Sequence, residues 1–154
     1  MIELEPIGIV HNSRKIVEDD FWGGIVSTIT IHEPLGAAAL TGLESFSHAE
    51  VIFHLNQVEP NRVITGARHP RNNPDWPVVG ILAQRAKLRP NRLGLTIVKI
   101  LRCEGNVLFV EGLDAIDGTP VLDVKPVLRE FLPAGEITQP AWATELMQDY
   151  WSTR

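Results

Sequence analysis

A chain of 154 residues, 44% hydrophobic and 21% charged, is long enough to bury a sizeable core as one domain and contains no low-complexity tract. Its single cysteine, Cys103, excludes an internal disulfide and any paired-cysteine metal or redox motif, and no apolar run approaches the ~18 residues of a membrane span. The start, MIELEPIGIVHNSRK, is acidic where a signal peptide is basic, so a soluble cytoplasmic protein is expected, with a formal net charge of −5.

Residues 25–31 and 49–55 are β-branched and apolar runs of strand length. Between them Pro34 precedes Ala37, Ala38 and Ala39 and Gly42 follows, which predicts a short helix over 34–40. The stretch 68–77 is too rich in proline for a helix or a central strand and reads as an ordered loop, and 78–82 as a further strand. Next come Leu93–Glu104, then Gly105-Asn106, then 107–113: two strand-like runs joined by a dipeptide suited to positive φ. This is an antiparallel hairpin at the centre of the sheet. A last helix is predicted over 140–151, where Trp142, Leu146 and Tyr150 share one face for packing against the body or a second subunit. Many short strands with only peripheral helices predict a mainly β, antiparallel-rich barrel, one domain over 1–154, because closure buries sheet edges.

The charge is unevenly spread. Arg62, Arg68, Arg71, Arg85, Lys87, Arg89 and Arg92 stand against the single acid Asp75, so this window carries +6 on an acidic chain. It suits either a basic mouth facing phosphates or a set of solvated loop arginines. The chemistry is narrowed by what is missing: no GxGxxG, Gly-Lys, GxSxG or HExxH motif occurs, and His48, His54 and His69 lack ligand-like spacing with Asp114, Asp117 or Asp123. No metal site is expected, and Cys103 in a strand reads as an inert thiol.

Two clusters remain, 84–95 with several guanidinium groups and 112–126 with three aspartates. They bracket the Gly105-Asn106 hairpin, so the loop leading into one strand and the loop leaving its partner should lie at the same edge of the sheet. Arginines and aspartates would then meet in a cleft able to bind a zwitterion. Asp117-Gly118-Thr119-Pro120 taken alone is also an adequate turn.

These segments, His69-Pro70-Arg71-Asn72-Asn73-Pro74, Arg89-Pro90-Asn91-Arg92-Leu93-Gly94-Leu95 and the run 113–126, closely resemble the TsaA-like, or TrmO, family in order and spacing. Residues 42–48 and 7–10 are similar to the family's GLE-FSH segment and opening strand. The resemblance, over roughly 3–126, implies a dimerising β-barrel that binds S-adenosyl-L-methionine without a Rossmann sheet. It also implies N6-methylation of threonylcarbamoyladenosine at position 37 in the tRNA anticodon loop. By matching position, Arg85, Leu95, Leu113, Asp114, Ala115, Ile116 and Asp117, with Asn56 and Gln57, become the cofactor-contacting residues. Arg68, Arg71, Arg89, Asn91 and Arg92 are the candidates for tRNA. Direct in-line transfer needs alignment, and a sulfonium is favoured by Asp114 or Asp117, by that turn's carbonyls and by the faces of Phe21 or Trp22. The chain departs from the family at Gln84, Arg92 and Asn56-Gln57, in residues 18–23, and by stopping at Arg154 without the extension of longer members. A sensor module that binds S-adenosylmethionine, and a methyltransferase of small molecules, are the rival readings.

Overall fold

Along three of the central strands, residues 26–31, 48–54 and 107–111, every second side chain is buried, which gives the sheet one inner face. The computed structural model describes residues 1–154. Its strands are β1 Gly8–His11, β2 Val26–Ile31, β3 His48–His54, β4 Ala67–Arg68, β5 Val79–Gly80, β6 Leu93–Glu104, β7 Val107–Glu111 and β8 Pro120–Pro126. Six of them form a closed antiparallel barrel in the order β1-β2-β7-β6-β3-β8, with β8 pairing back onto β1; β4 and β5 form a separate two-stranded ribbon. Val10, Ile29, Ile31, Ala49, Val51, Phe53, Val98, Leu108, Val110 and Val121 fill the interior, capped by Leu40, Leu113 and Ala115. Each fully buried side chain of the larger kinds contributes about 1.5–3 kcal/mol.

The hairpin between β6 and β7 turns at Gly105-Asn106, where Gly105 alone takes a positive φ, 58°. This is the pattern with glycine at the first central position. The Asn106 amide donates to the Ile31 carbonyl (3.0 Å), fastening the tip to the end of β2. Since neighbouring strands are antiparallel, the starts of β2, β6 and β8 and the ends of β1, β3 and β7 gather at the opposite end of the barrel. Every loop that carries a predicted site residue leaves from that end.

Three elements differ from the sequence reading. Residues 34–40 hold only a 3-10 turn, Ala37–Leu40, which buries Leu40 alone and so has no apolar stripe to reward a longer helix. The expected strand 78–82 shrinks to β5, because the chain turns into a 3-10 segment, Ile81–Ala83, that buries Ile81. The C-terminal helix is α1, Ala141–Leu146, after which the chain coils so that the Asp149 and Tyr150 carbonyls accept the Phe21 and Trp22 amides (3.1 and 2.8 Å).

Gly94 has a packing reason. It faces Phe53 across the β3–β6 register, and an added Cβ would lie 2.3 Å from that ring. Phe53 is fully buried, so the ring has nowhere to retreat. Gly94→Ala is expected to destabilise the fold by about 1–3 kcal/mol, read as a lower urea midpoint at unchanged slope.

Candidate functional site

Past the end of β7, Gly112 turns the chain (φ 85°), and Leu113 and Ala115 plunge into the barrel. Asp114 between them faces the other way, towards β6. Its Oδ1 accepts the Thr96 hydroxyl and its Oδ2 accepts the Tyr150 hydroxyl. One residue earlier on β6, the Leu95 carbonyl accepts the Arg85 guanidinium. A cation and an acid are thus fastened to consecutive residues of one strand. Arg85 is exposed and forms no ion pair, so its remaining N–H groups are free for a ligand.

Tyr150 completes this cluster. Burial, then the negative charge of Asp114 and its hydrogen bond, push the phenol well above its usual pKa, while Arg85 and Arg71 pull the other way. The hydroxyl therefore keeps its proton and acts as a donor.

Asp117 serves a different purpose. Its carboxylate binds Lys15 (2.7 Å) and accepts the Asn12 amide (3.0 Å), with His11 at 3.5 Å. Hydrogen bonds from Lys15 and Asn12 hold its carboxyl below the usual range. Together with bonds from the Asp117 and Gly118 amides to the Arg14 and Val10 carbonyls (2.8 and 2.7 Å), it staples the chain leaving β1 to the aspartate turn. The Ala115 carbonyl accepts the Asn12 side chain (2.8 Å), and that of Ile116 the Thr119 hydroxyl (2.6 Å). Of the two aspartates in this turn, Asp117 is neutralised by Lys15, whereas Asp114 has hydroxyl donors and no ion pair.

Residues 18–22 wrap around Arg14, whose guanidinium donates to the Phe21 and Asp20 carbonyls and to Glu18 (2.5, 3.0 and 2.6 Å) and stacks 4.0 Å over Trp22. Trp22 is buried under that cation, and Phe21 faces Arg154 at 4.9 Å. Neither ring touches Asp114 through a hydrogen bond or an aromatic contact. Beyond this segment lies a cleft of about 300 Å³ between residues 17–21, Lys87 and Arg154.

The basic window is largely committed within the chain. Arg71 makes a two-pronged bond to Asp20 (2.9 and 3.2 Å), and Lys87 lies 3.9 Å from Asp19. Arg89 donates to the Gln84 and Ala86 carbonyls (2.7 and 3.4 Å), fixing the turn that presents Arg85. Arg92 donates to the Val58 carbonyl (2.7 Å), and Arg68 buries its Nε without a protein acceptor. Gln84 pins β4 to β5 by donating to the Arg68 and Val79 carbonyls (3.1 and 3.0 Å). Asn56, Gln57 and Asn91 are exposed at the same barrel end, and none reaches Asp114 or Arg85 through a hydrogen bond.

The family model described as the tRNA-methyltransferase O N-terminal domain matches residues 19–131. The chain belongs to this family. It is 38% identical over 134 residues to a "Probable S-adenosyl-L-methionine-binding protein" of Methanothermobacter thermautotrophicus, covering 84% of this chain and 92% of that protein. With the mouse "tRNA (adenine(37)-N6)-methyltransferase" it shares 38% identity over 102 residues, 60% of this chain but 21% of that one. The crystal structure of TrmO from Pseudomonas aeruginosa superposes with a TM-score of 0.70 at 25% identity, over 90% of this chain and 61% of the TrmO chain. The chain thus spans about three fifths of that TrmO structure and about one fifth of the mouse enzyme.

The tRNA-methyltransferase O span encloses Arg85, Leu95, Thr96 and Asp114 but neither Arg14 nor Tyr150; sequence reasoning missed Thr96, Arg14 and the site role of Tyr150. For Arg14 no motif gave a sign. Tyr150 was visible only as part of an aromatic stripe, since its partner lies 36 residues earlier in the chain.

Proposed function

We propose that this chain is an S-adenosyl-L-methionine-dependent methyltransferase acting on N6 of threonylcarbamoyladenosine at position 37 of tRNA, in the cytoplasm and as a homodimer. The observation that carries the cofactor is the placement of Arg85 and Asp114 on consecutive residues of β6, Leu95 and Thr96. A methionine moiety carries a carboxylate and an ammonium on one carbon, and a guanidinium beside a carboxylate complements both. Membership of the tRNA-methyltransferase O family and the name of the Methanothermobacter relative support the same ligand. The names of the mammalian relatives support the tRNA substrate.

When bound, the cofactor supplies an electrophilic methyl group on a sulfonium. The chain's part is alignment: Arg85 and Asp114 fix the two ends of the amino-acid group, and the turn 113–117, held by Asn12 and Asp117, sets the wall beside it. The partly exposed Arg68, Arg71, Arg89 and Arg92 at the barrel end are the groups that would meet the phosphates flanking an unstacked anticodon-loop base. The apolar outer face of β6, with Leu93, Leu95, Ile97 and Leu101 each about two fifths exposed and Leu82 more so, is the surface a second copy would cover.

S-adenosylmethionine at ~100 times its dissociation constant is expected to stabilise the fold by about 2.7 kcal/mol, seen as a raised melting temperature. Incubation with bulk tRNA is expected to yield N6-methylated threonylcarbamoyladenosine by nucleoside mass spectrometry, and sedimentation a dimer. Cofactor binding without methyl transfer would favour a sensor, and a methylated small molecule with unmodified tRNA would reassign the substrate. No thermal response to millimolar cofactor removes the proposal.

A further inference from the structure

The C-terminal segment reaches the carboxylate just assigned to the cofactor. α1 is tied to the loop after β4 by Trp76, whose indole N–H donates to Glu145 (2.8 Å). The Phe21 and Trp22 amides then hold the Asp149 and Tyr150 carbonyls, and the Tyr150 ring packs edge-on against Trp151 at 5.0 Å. The outcome is a phenol hydroxyl aimed at one oxygen of Asp114 while Thr96 takes the other. Two donors from opposite sides fix both the rotamer and the plane of that carboxylate, and each oxygen keeps a lone pair for a ligand. Arg85 and Arg71 stand close enough for their charge to reach the same hydroxyl.

We propose that Tyr150 is a positioning residue of the cofactor site, acting through Asp114, so that the last residues of the chain complete a site whose other parts lie within the family-matched span. The proposal rests on the functional reading above. A hydroxyl placed only to fasten the C-terminal segment would work equally well on any exposed acceptor. This one is spent on a carboxylate that β6 has already begun to orient.

The test is a double-mutant cycle read by calorimetric titration of S-adenosylmethionine into wild type, Tyr150→Phe, Asp114→Asn and the double variant, with apo melting temperatures measured alongside. Tyr150→Phe is expected to fold and to weaken cofactor binding roughly tenfold or more, the worth of a hydrogen bond to a charged group. In the Asp114→Asn background the same change should cost less than about twofold, because the group being oriented is gone. Glu145→Ala, which removes the acceptor of the Trp76 indole and loosens the segment without touching Asp114, should bind like wild type. Should Tyr150→Phe fail to fold, Tyr150→Met, which also lacks the hydroxyl but adapts to the space, takes its place with the same expectation. Wild-type affinity in Tyr150→Phe, or an equal loss in both backgrounds, would reduce Tyr150 to a fastening and overturn the proposal while leaving the cofactor reading intact. A wild-type protein that does not bind S-adenosylmethionine overturns both.

Discussion

Arg85→Lys and Arg85→Ala proteins are expected to fold normally and to lose methyl transfer by roughly 100-fold, together with most of the thermal response to cofactor. Arg85 holds no acid, and its one internal bond goes to the Leu95 carbonyl, so removing it leaves no buried charge unpaired and opens no core cavity. What disappears is a planar fork that can grip two carboxylate oxygens while resting on β6, and lysine offers a point charge without that geometry. Arg85 pairs with neither Asp114 nor Asp123 and donates instead to a carbonyl. The alternative left for it is loop fixation through Leu95, which predicts a lower apo melting temperature with near-normal turnover of the folded fraction. Measuring apo melting temperature and single-turnover methylation on the same preparations separates the two.

The barrel was legible where periodicity and turn chemistry agreed. The β6–β7 hairpin combines alternation with a glycine at the one position that needs positive φ, and the strands expected at 25–31 and 49–55 are β2 and β3 within one residue at each end. Local pattern failed where a single tertiary contact outweighed it. The run 78–82 is apolar enough for a strand, but Ile81 is needed as a plug, and the backbone coils to place it. The aromatic stripe 142–150 looked like three turns of helix. After Leu146 the backbone abandons that geometry to bond the Phe21 and Trp22 amides and to bring Tyr150 to Asp114.

The site was legible in its identity more than in its electrostatics. Motif and topology together predicted that Arg85, Leu95 and Asp114 lie near one another, and the structure brings them together, because loops flanking one hairpin must share an end of the barrel. The +6 window overstates the unpaired charge, since it is summed along the chain and not through space. Asp19 and Asp20, far outside the window in sequence, return to Lys87 and Arg71. Arg89 and Arg92 are partly spent on carbonyls. For Asp117 the alternative left open at the sequence level, a turn residue, fits the contacts it makes with Asn12 and Lys15.

Gly23→Ala is expected to detach the C-terminal segment while leaving the barrel folded. A Cβ on Gly23 would lie 2.0 Å from the Trp151 carbonyl oxygen and 2.9 Å from its carbon. Both are backbone atoms, so no side-chain rotation relieves the clash and residues 149–152 must move away. Leaving with them are two backbone hydrogen bonds, from Phe21 and Trp22, and the Tyr150–Asp114 bond. At about 1 kcal/mol for each of the first two and about 1.5–3 for a bond to a charged group, the docking loses roughly 3.5–5 kcal/mol. The amides of Phe21 and Trp22 should then exchange with solvent at least ~100-fold faster, because their protection comes from that docking alone. Amides within β6 and β7 should keep their native rates, as should every amide in Gly66→Ala, where an added Cβ meets nothing within 4 Å. Unchanged exchange at Phe21 and Trp22 would mean that the segment is not held there in solution. Uniformly faster exchange across the barrel would mean instead that the C-terminal segment is integral to the core, and that the six strands do not stand without it.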